Sequence, residues 1–307
     1  VKGSYSYEEQ YLQLLRSCLV EGTQQSNRTG IDTRFLPGAM LQFDLRMGFP
    51  ALTTKRLAFG QVVGELIGFL RGYTSAADFR EVGCNIWDAN ANKNRTWLNN
   101  PNRLGEDDLG RIYGALWRGW GAQLVRDFPS GKIIGAGPGV DQLQEALRKI
   151  FKDPTNRRNI VTAWDPTELP FQALPPCHLL YQFLVNVERK EINMCMYQRS
   201  CDMFLGVPFN MASYALLLSL VAKVTGYRAA TLTMFLADVH VYVNHTEQIW
   251  EQLWRQPLAP PRLYTSPKVA ICASPESALE VLTLLEKDDV LLSDYRCHPP
   301  ISAPMAV

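Results

Sequence analysis

The chain has 307 residues, 47% of them apolar and 20% charged, and carries a formal net charge of +1 at neutral pH. That composition suits a globular protein with a substantial core, and so even a charge balance gives no general attraction to DNA or to an anionic membrane surface, so any basic site must be local. The seven cysteines are scattered, with no Cys-x-x-Cys pair and no histidine pair at metal spacing, which predicts reduced thiols and no metal site.

Taken in chain order, Ser6-Tyr7-Glu8-Glu9 forms a capping-box pattern, and Tyr11, Leu14, Leu15, Cys18 and Leu19 then recur at helical spacing until Gly22. An opening helix follows from this. The polar, Gly-rich run 22–38 lacks periodicity and predicts a loop that exposes Arg28. Residues 58–70, "AFGQVVGELIGFL", read as a helix although Gly60, Gly64 and Gly68 lower its propensity; glycines on one face permit close packing. Glu65 on that helix reads either as a partly exposed carboxylate or as a buried acid facing a site, and both readings stay open. The stretches 90–108 and 128–139 predict irregular surface excursions. Between the second of these and Asp153-Pro154, residues 140–151 predict an amphipathic helix with Val140, Leu143, Leu147 and Ile150 on one face.

The second half is richer in strands. "RNIVTAWD" from Arg158 is one, and "LLYQFLVNV" and "EINMCMYQRS" predict an antiparallel hairpin turned at Glu188-Arg189-Lys190-Glu191. The helix 211–225, closed by Gly226, carries few charges and belongs in the core. Its strongest apolar run, 214–222, is interrupted by Ser219 and stopped by Lys223, well short of the roughly 20 residues that a membrane span needs. A strand at 231–236 leads into a helix that ends by Pro257. With no repeat, no flexible linker and no secretion-signal pattern, residues 1–307 are expected to form a single cytoplasmic α+β domain that meets neither membrane nor DNA.

Chemistry-bearing residues gather at element ends. "ALPPCH" sets Cys177 and His178 after two prolines at the mouth of a strand, and prolines restrict the backbone so that a thiol is held at a defined position for attack. The alternative, a cysteine packed at a strand start, stays open on this motif alone. Arg157-Arg158 reads as a solvated pair, yet guanidiniums converging with Arg28 and Arg199-Ser200 on one pocket would bind a phosphate dianion and favour thiolate over thiol.

The motifs "NRTG", "TTKR", "NIWDAN", "RIYGALWR", "DPTNRRNIVTAWDP", "ALPPCH", "YQRSCDMFLGVPFNMASYALL" and "DVHVYVNH", in this order from Asn27 to His245, closely resemble the thymidylate synthase family. "HPPISAPMAV" is similar to that family's C-terminal tail, which closes over bound folate. The resemblance implies a large twisted mixed sheet that packs against its partner's sheet in a homodimer, with helices on the other face. It implies reductive methylation of deoxyuridylate with 5,10-methylenetetrahydrofolate as co-substrate. Cys177 is then the nucleophile that adds to pyrimidine C6, because C5 attacks nothing until such an adduct turns the ring into an enolate. Glu65, Tyr113 and His178 match the group that handles protons at O4 and C5 through ordered water. Asn210 matches the amide that reads O4 and N3 of uracil. Arg28, Arg199 and Ser200 match phosphate binders, Arg157 and Arg158 the pair donated across the dimer, and His240 and Tyr242 the ribose contacts. Asp202 matches the anchor of the pterin ring, with Ile86, Trp87, Leu174, Gly206 and Phe209 as the wall.

Three places depart from the family pattern. Ala237 stands where glycine is usual before the aspartate of "ADVH", Gly68 where tryptophan is common, and "SDYRCHPP" where the tail usually reads "EGYxPHP". All three read either as drift or as a reshaping of the pocket, and the first two bear on the reaction. They leave one alternative within the superfamily, a pyrimidine nucleotide hydroxymethylase in which water captures the exocyclic methylene; Trp87 argues against it and Asn210 argues for uracil over cytosine. A catalytically silent nucleotide or RNA binder is the alternative from another class, and it would not need the thiol.

Overall fold

The computed structural model describes residues 7–122, 124–126, 133–137 and 139–305. Ser6 of the capping box, residues 128–132 and 138 of the second excursion, and the last two residues of the tail lie outside them. In the first part of the chain, α1 (Tyr7–Glu21), β1 (Thr23–Gln25), β2 (Thr33–Asp44) and α2 (Phe59–Arg71) are followed by the short helices α3 (Ala76–Glu81), α4 (Asp88–Asn92), α5 (Arg95–Leu98) and α6 (Gly114–Arg118). A two-stranded ribbon, β3 (Leu124–Arg126) with β4 (Ile133–Ala136), precedes α7 (Gln142–Lys152). The second part runs β5 (Ile160–Thr162), β6 (His178–Asn186), β7 (Glu191–Asp202), α8 (Gly206–Thr225), β8 (Arg228–Tyr242) and α9 (Thr246–Trp254), and a second ribbon, β9 (Arg262–Thr265) with β10 (Val290–Ser293), flanks α10 (Pro275–Thr283).

Six strands form one mixed sheet in the order β1-β2-β8-β7-β6-β5. Every neighbouring pair is antiparallel except β7 with β8. A parallel pair needs a crossover, and α8 supplies it. This is the expected α+β class with a mixed sheet. By length and composition α8 could cross a bilayer, but 78% of that stretch is buried inside the fold, where it serves as the core helix. All seven cysteines are free thiols.

Several sequence expectations need correction. The run 22–38 is not all loop: β1 and the start of β2 occupy it, and only the turn that carries Arg28 is irregular. β8 extends from Arg228 to Tyr242 rather than stopping at 236, because its polar continuation through Asp238, His240 and Tyr242 faces a cavity instead of solvent. α7 begins at Gln142, capped by Asp141, so Val140 is not on its apolar face; it pairs with Trp120 and is 52% exposed. α8 starts at Gly206, five residues before the apolar spacing begins at Met211. The first excursion takes in the end of α4 and all of α5, and the second takes in β4, all too short to leave a periodic signal.

Gly68 illustrates how the core accommodates a departure. A Cβ there would meet the Phe79 ring at 2.1 Å, so the space that a larger residue at 68 would fill belongs to Phe79. Phe79 in turn packs edge-on against Phe69, with ring centroids 5.9 Å apart. Gly68→Ala is expected to cost about 1–3 kcal/mol by overpacking, read by urea unfolding. Combining it with Phe79→Leu should recover most of that loss.

Candidate active site

A cavity of about 600 Å³ opens where several parts of the chain meet. The turn after β1 brings Arg28; β7 brings Arg199 and Ser200; β8 brings Asp238, His240 and Tyr242; and the run before β6 brings Leu174, Pro175 and Cys177. Alternation along β8 aims the last three polar residues at the cavity. Ala237, one position off, does not line it, so that departure adds its methyl elsewhere.

Cys177 is held from several directions. Pro175 and Pro176 have no N–H to offer, so their carbonyls are the available handles. Arg199 takes both, donating from Nη2 to Pro175 O at 3.0 Å and from Nε to Pro176 O at 2.8 Å, while its own amide donates to Cys177 O at 2.8 Å. The Cys177 amide donates to the Tyr113 hydroxyl at 2.8 Å. Burial pushes the thiol above its ordinary range, and the positive charge of Arg199, a hydrogen bond from Tyr113 and the charge of Arg28 pull against it.

Behind the cysteine lies a buried aromatic layer. Tyr113 adopts φ +28° and ψ −90°, a strained conformation for a side-chain-bearing residue, and strain of this kind concentrates at functional sites. Its ring stacks on His178 with centroids 4.1 Å apart and a 20° interplanar angle. His178 Nδ1 lies 2.7 Å from the Tyr214 hydroxyl, and burial lowers its pKa to about 3, so the imidazole is neutral. Glu65 is only 6% exposed, which resolves the open reading in favour of a buried acid; burial raises its pKa to about 7. The Trp87 indole tempers that rise, although its buried Nε1 makes no well-formed hydrogen bond among the described residues.

Asn210, on the first turns of α8, accepts at Oδ1 from Gln198 Nε2 at 2.9 Å, and the same Nε2 donates to Ser200 O at 3.0 Å. The orientation of the Asn210 amide is therefore set by Gln198, which the sequence reading missed: nothing in a strand glutamine beside Arg199 signals a partner twelve residues on. Asp202 ends β7, and its Oδ1 caps the chain by accepting from the amides of Phe204 and Leu205 at 3.0 and 3.1 Å. Ile86, Leu174 and Phe209 are half-buried and pack against the core, and Gly206 opens α8 beside Asp202. For His240, burial opposes protonation, but the hydrogen bond and charge of Asp238, 3.3 Å from Nδ1, outweigh it and raise the pKa.

The structure does not bring every expected residue into this cavity. Arg157 and Arg158 are exposed on the segment entering β5 and line none of it. Glu65, Tyr113 and His178, and likewise Ile86, Trp87, Asp202, Gly206, Phe209 and Asn210, are not among the residues that line it. Conversely, Asn94, Thr96 and Asn100 of the first excursion, which no motif marked, do line it, as does Trp164, which sits inside "DPTNRRNIVTAWDP" but was given no role. The tail is docked on the body: His298 N donates to Thr53 O at 2.7 Å, the Tyr295 hydroxyl to Leu52 O at 2.7 Å, and His245 Nε2 lies 2.7 Å from Pro304 O.

Residues 9–307 match the sequence profile described as thymidylate synthase. A Pseudomonas putida protein named thymidylate synthase is 45% identical over 322 residues, covering 97% of this chain and 100% of that protein. Proteins of the same name from Bordetella parapertussis and Idiomarina loihiensis are 44% and 38% identical, again over 97% of this chain and 100% of theirs. With a prolyl-braced thiol beneath two arginines and this similarity along nearly its whole length, the chain belongs to the thymidylate synthase family.

Proposed function

We infer that residues 1–307 act as one catalytic domain that methylates deoxyuridylate to thymidylate, with Cys177 as the nucleophile. The observation that carries this reading is the Cys177–Arg199 arrangement, in which one guanidinium both fixes the prolyl carbonyls before the thiol and supplies positive charge beside it. The phosphate of the nucleotide takes Arg28, Arg199 and Ser200, and the ribose takes His240 and Tyr242. Sulfur then bonds to C6, the C5–C6 π electrons move toward O4, and Asn210 Nδ2 donates to the oxygen that becomes negative. Glu65, poised near neutral pH, supplies and removes protons at O4 and C5 through water.

The co-substrate 5,10-methylenetetrahydrofolate fits the residues beside the cavity. Asp202 has its Oδ2 without a hydrogen bond among the described residues, a free acceptor for a pterin N–H, and the half-buried faces of Ile86, Leu174 and Phe209 suit a flat ring. When bound, the folate supplies the one-carbon unit and the hydride. Trp87, 5% exposed, helps keep water from that chemistry.

A homodimer is part of this reading. Leu180, Tyr197, Phe235 and Met40 are direct cross-strand neighbours that run in one row across β6, β7, β8 and β2. They are 36, 39, 43 and 55% exposed, an apolar band that suits burial by a second copy of the same sheet. Arg157 and Arg158, exposed beside it, are then free to enter the partner's phosphate site. Mixing the Cys177→Ala chain with the Arg157→Ala/Arg158→Ala chain should restore part of the activity that neither has alone.

The direct test is mass analysis of the product with deoxyuridylate, deoxycytidylate and cytidylate offered in parallel. Thymidylate formed from deoxyuridylate is the expected result; a hydroxymethylated nucleotide, or none, overturns the reading. Gln198→Leu, which frees the Asn210 amide to rotate, is expected to reduce the preference for deoxyuridylate over deoxycytidylate by about tenfold or more in kcat/KM.

A further inference from the structure

The excursion 90–108 reaches the run on which Cys177 is mounted. Asn94 uses its side chain twice: Oδ1 accepts from the amides of Thr96 and Trp97 at 3.1 and 3.4 Å, capping α5, while Nδ2 donates to Ala173 O at 2.9 Å. The excursion is itself anchored, since buried Trp97 donates from Nε1 to Asp108 O at 2.6 Å, and Ala173 N donates to Leu109 O at 3.0 Å. Ala173 is 4% exposed. The carbonyls of residues 173, 175, 176 and 177 are thus all engaged, the last three by Arg199 from the sheet and the first by Asn94 from the excursion. Arg199 alone grips only the end of the run nearest the sheet. At the far end Ala173 is held at its amide by Leu109 O and at its carbonyl by Asn94, so losing the Asn94 bond leaves that peptide free to tilt about the remaining contact, and a nucleophile displaced by a fraction of an ångström loses rate steeply.

We propose that Asn94 is a positioning residue for Cys177, bracing the Ala173–Leu174–Pro175–Pro176 run from the excursion so that the sulfur stays aimed at the pyrimidine. This rests on Cys177 being the nucleophile. The brace acts through Ala173 and leaves the ground-state hold on the nucleotide to the arginines, so its loss belongs in kcat and not in affinity.

Asn94→Ser keeps an α5 cap but is too short to reach Ala173 O; Asn94→Asp also keeps the cap and sets a carboxylate against that carbonyl. In the full-length protein, tritium release from 5-tritiated deoxyuridylate would be followed beside equilibrium binding of deoxyuridylate and thermal unfolding. Asn94→Ser is expected to lower kcat for release about tenfold, with the deoxyuridylate Kd within about twofold of the parent and the unfolding midpoint nearly unchanged. Asn94→Asp should lower kcat at least as far, and it keeps the test open if the serine variant folds poorly. Parental kcat in a folded Asn94→Ser chain overturns the brace, as does a loss confined to Kd, which would make Asn94 a substrate contact. Cys177→Ser run alongside separates the two readings: if it retains full tritium release, the nucleophile assignment fails and the brace fails with it, whereas a silent Cys177→Ser with a parental Asn94→Ser removes the brace alone.

Discussion

Cys177→Ser is expected to lower kcat for thymidylate formation by at least about a thousandfold, while deoxyuridylate still binds. The substitution changes one atom and leaves both Arg199–prolyl carbonyl bonds intact, so the loss falls on nucleophilicity rather than on shape. Dihydrofolate formation and calorimetric binding on the same sample check this; activity within tenfold of the parent would remove Cys177 from the mechanism. The surroundings also predict how the thiol responds to pH. Burial raises its pKa while Arg199, Tyr113 and Arg28 oppose that rise, so alkylation of Cys177 by iodoacetamide should accelerate as pH increases, and Arg199→Ala should make it slower at neutral pH.

Glu65→Gln is expected to lower kcat about a hundredfold and to erase a limb of the pH–rate profile near 7, because the amide keeps the size and hydrogen-bonding capacity of the acid but cannot cycle a proton. The same substitution should stabilise the fold at alkaline pH. Burial raises this carboxyl from its ordinary 4.5 to about 7, so the folded state holds a proton that the unfolded state has lost. Below 4.5 both states are protonated and the penalty is absent; it grows between 4.5 and 7 and is constant above. The span from 4.5 to about 7 corresponds to roughly 3 kcal/mol at pH 8, relieved in Glu65→Gln. Urea unfolding of both chains at pH 5 and pH 8 measures it, and an equal difference at the two pH values would rule out Glu65 as the titrating group. Activity lost alongside stability gained marks a buried acid kept for function.

Much of this was legible in the sequence. α1, α2, the β6–β7 hairpin and α8 follow from the spacing of apolar residues, because each buries a single face or is buried all round. Where that logic failed, the strand faced the site: β8 past Leu236 and the start of β2 carry polar residues inward, so their alternation resembles that of a loop. The ordered motifs likewise named the thiol and the arginines, since residue type and order survive in a string of letters.

The sequence by itself determined which groups are available and which family assembles them. Only the tertiary structure decided their states: that Glu65 is buried and titrates near neutrality, that His178 is neutral, that Gln198 turns the Asn210 amide, and that Asn94 grips a carbonyl 79 residues away. The physical reason is that a pKa, an amide orientation or a backbone brace depends on what lies within a few ångströms in space, and those neighbours come from segments that no local pattern joins.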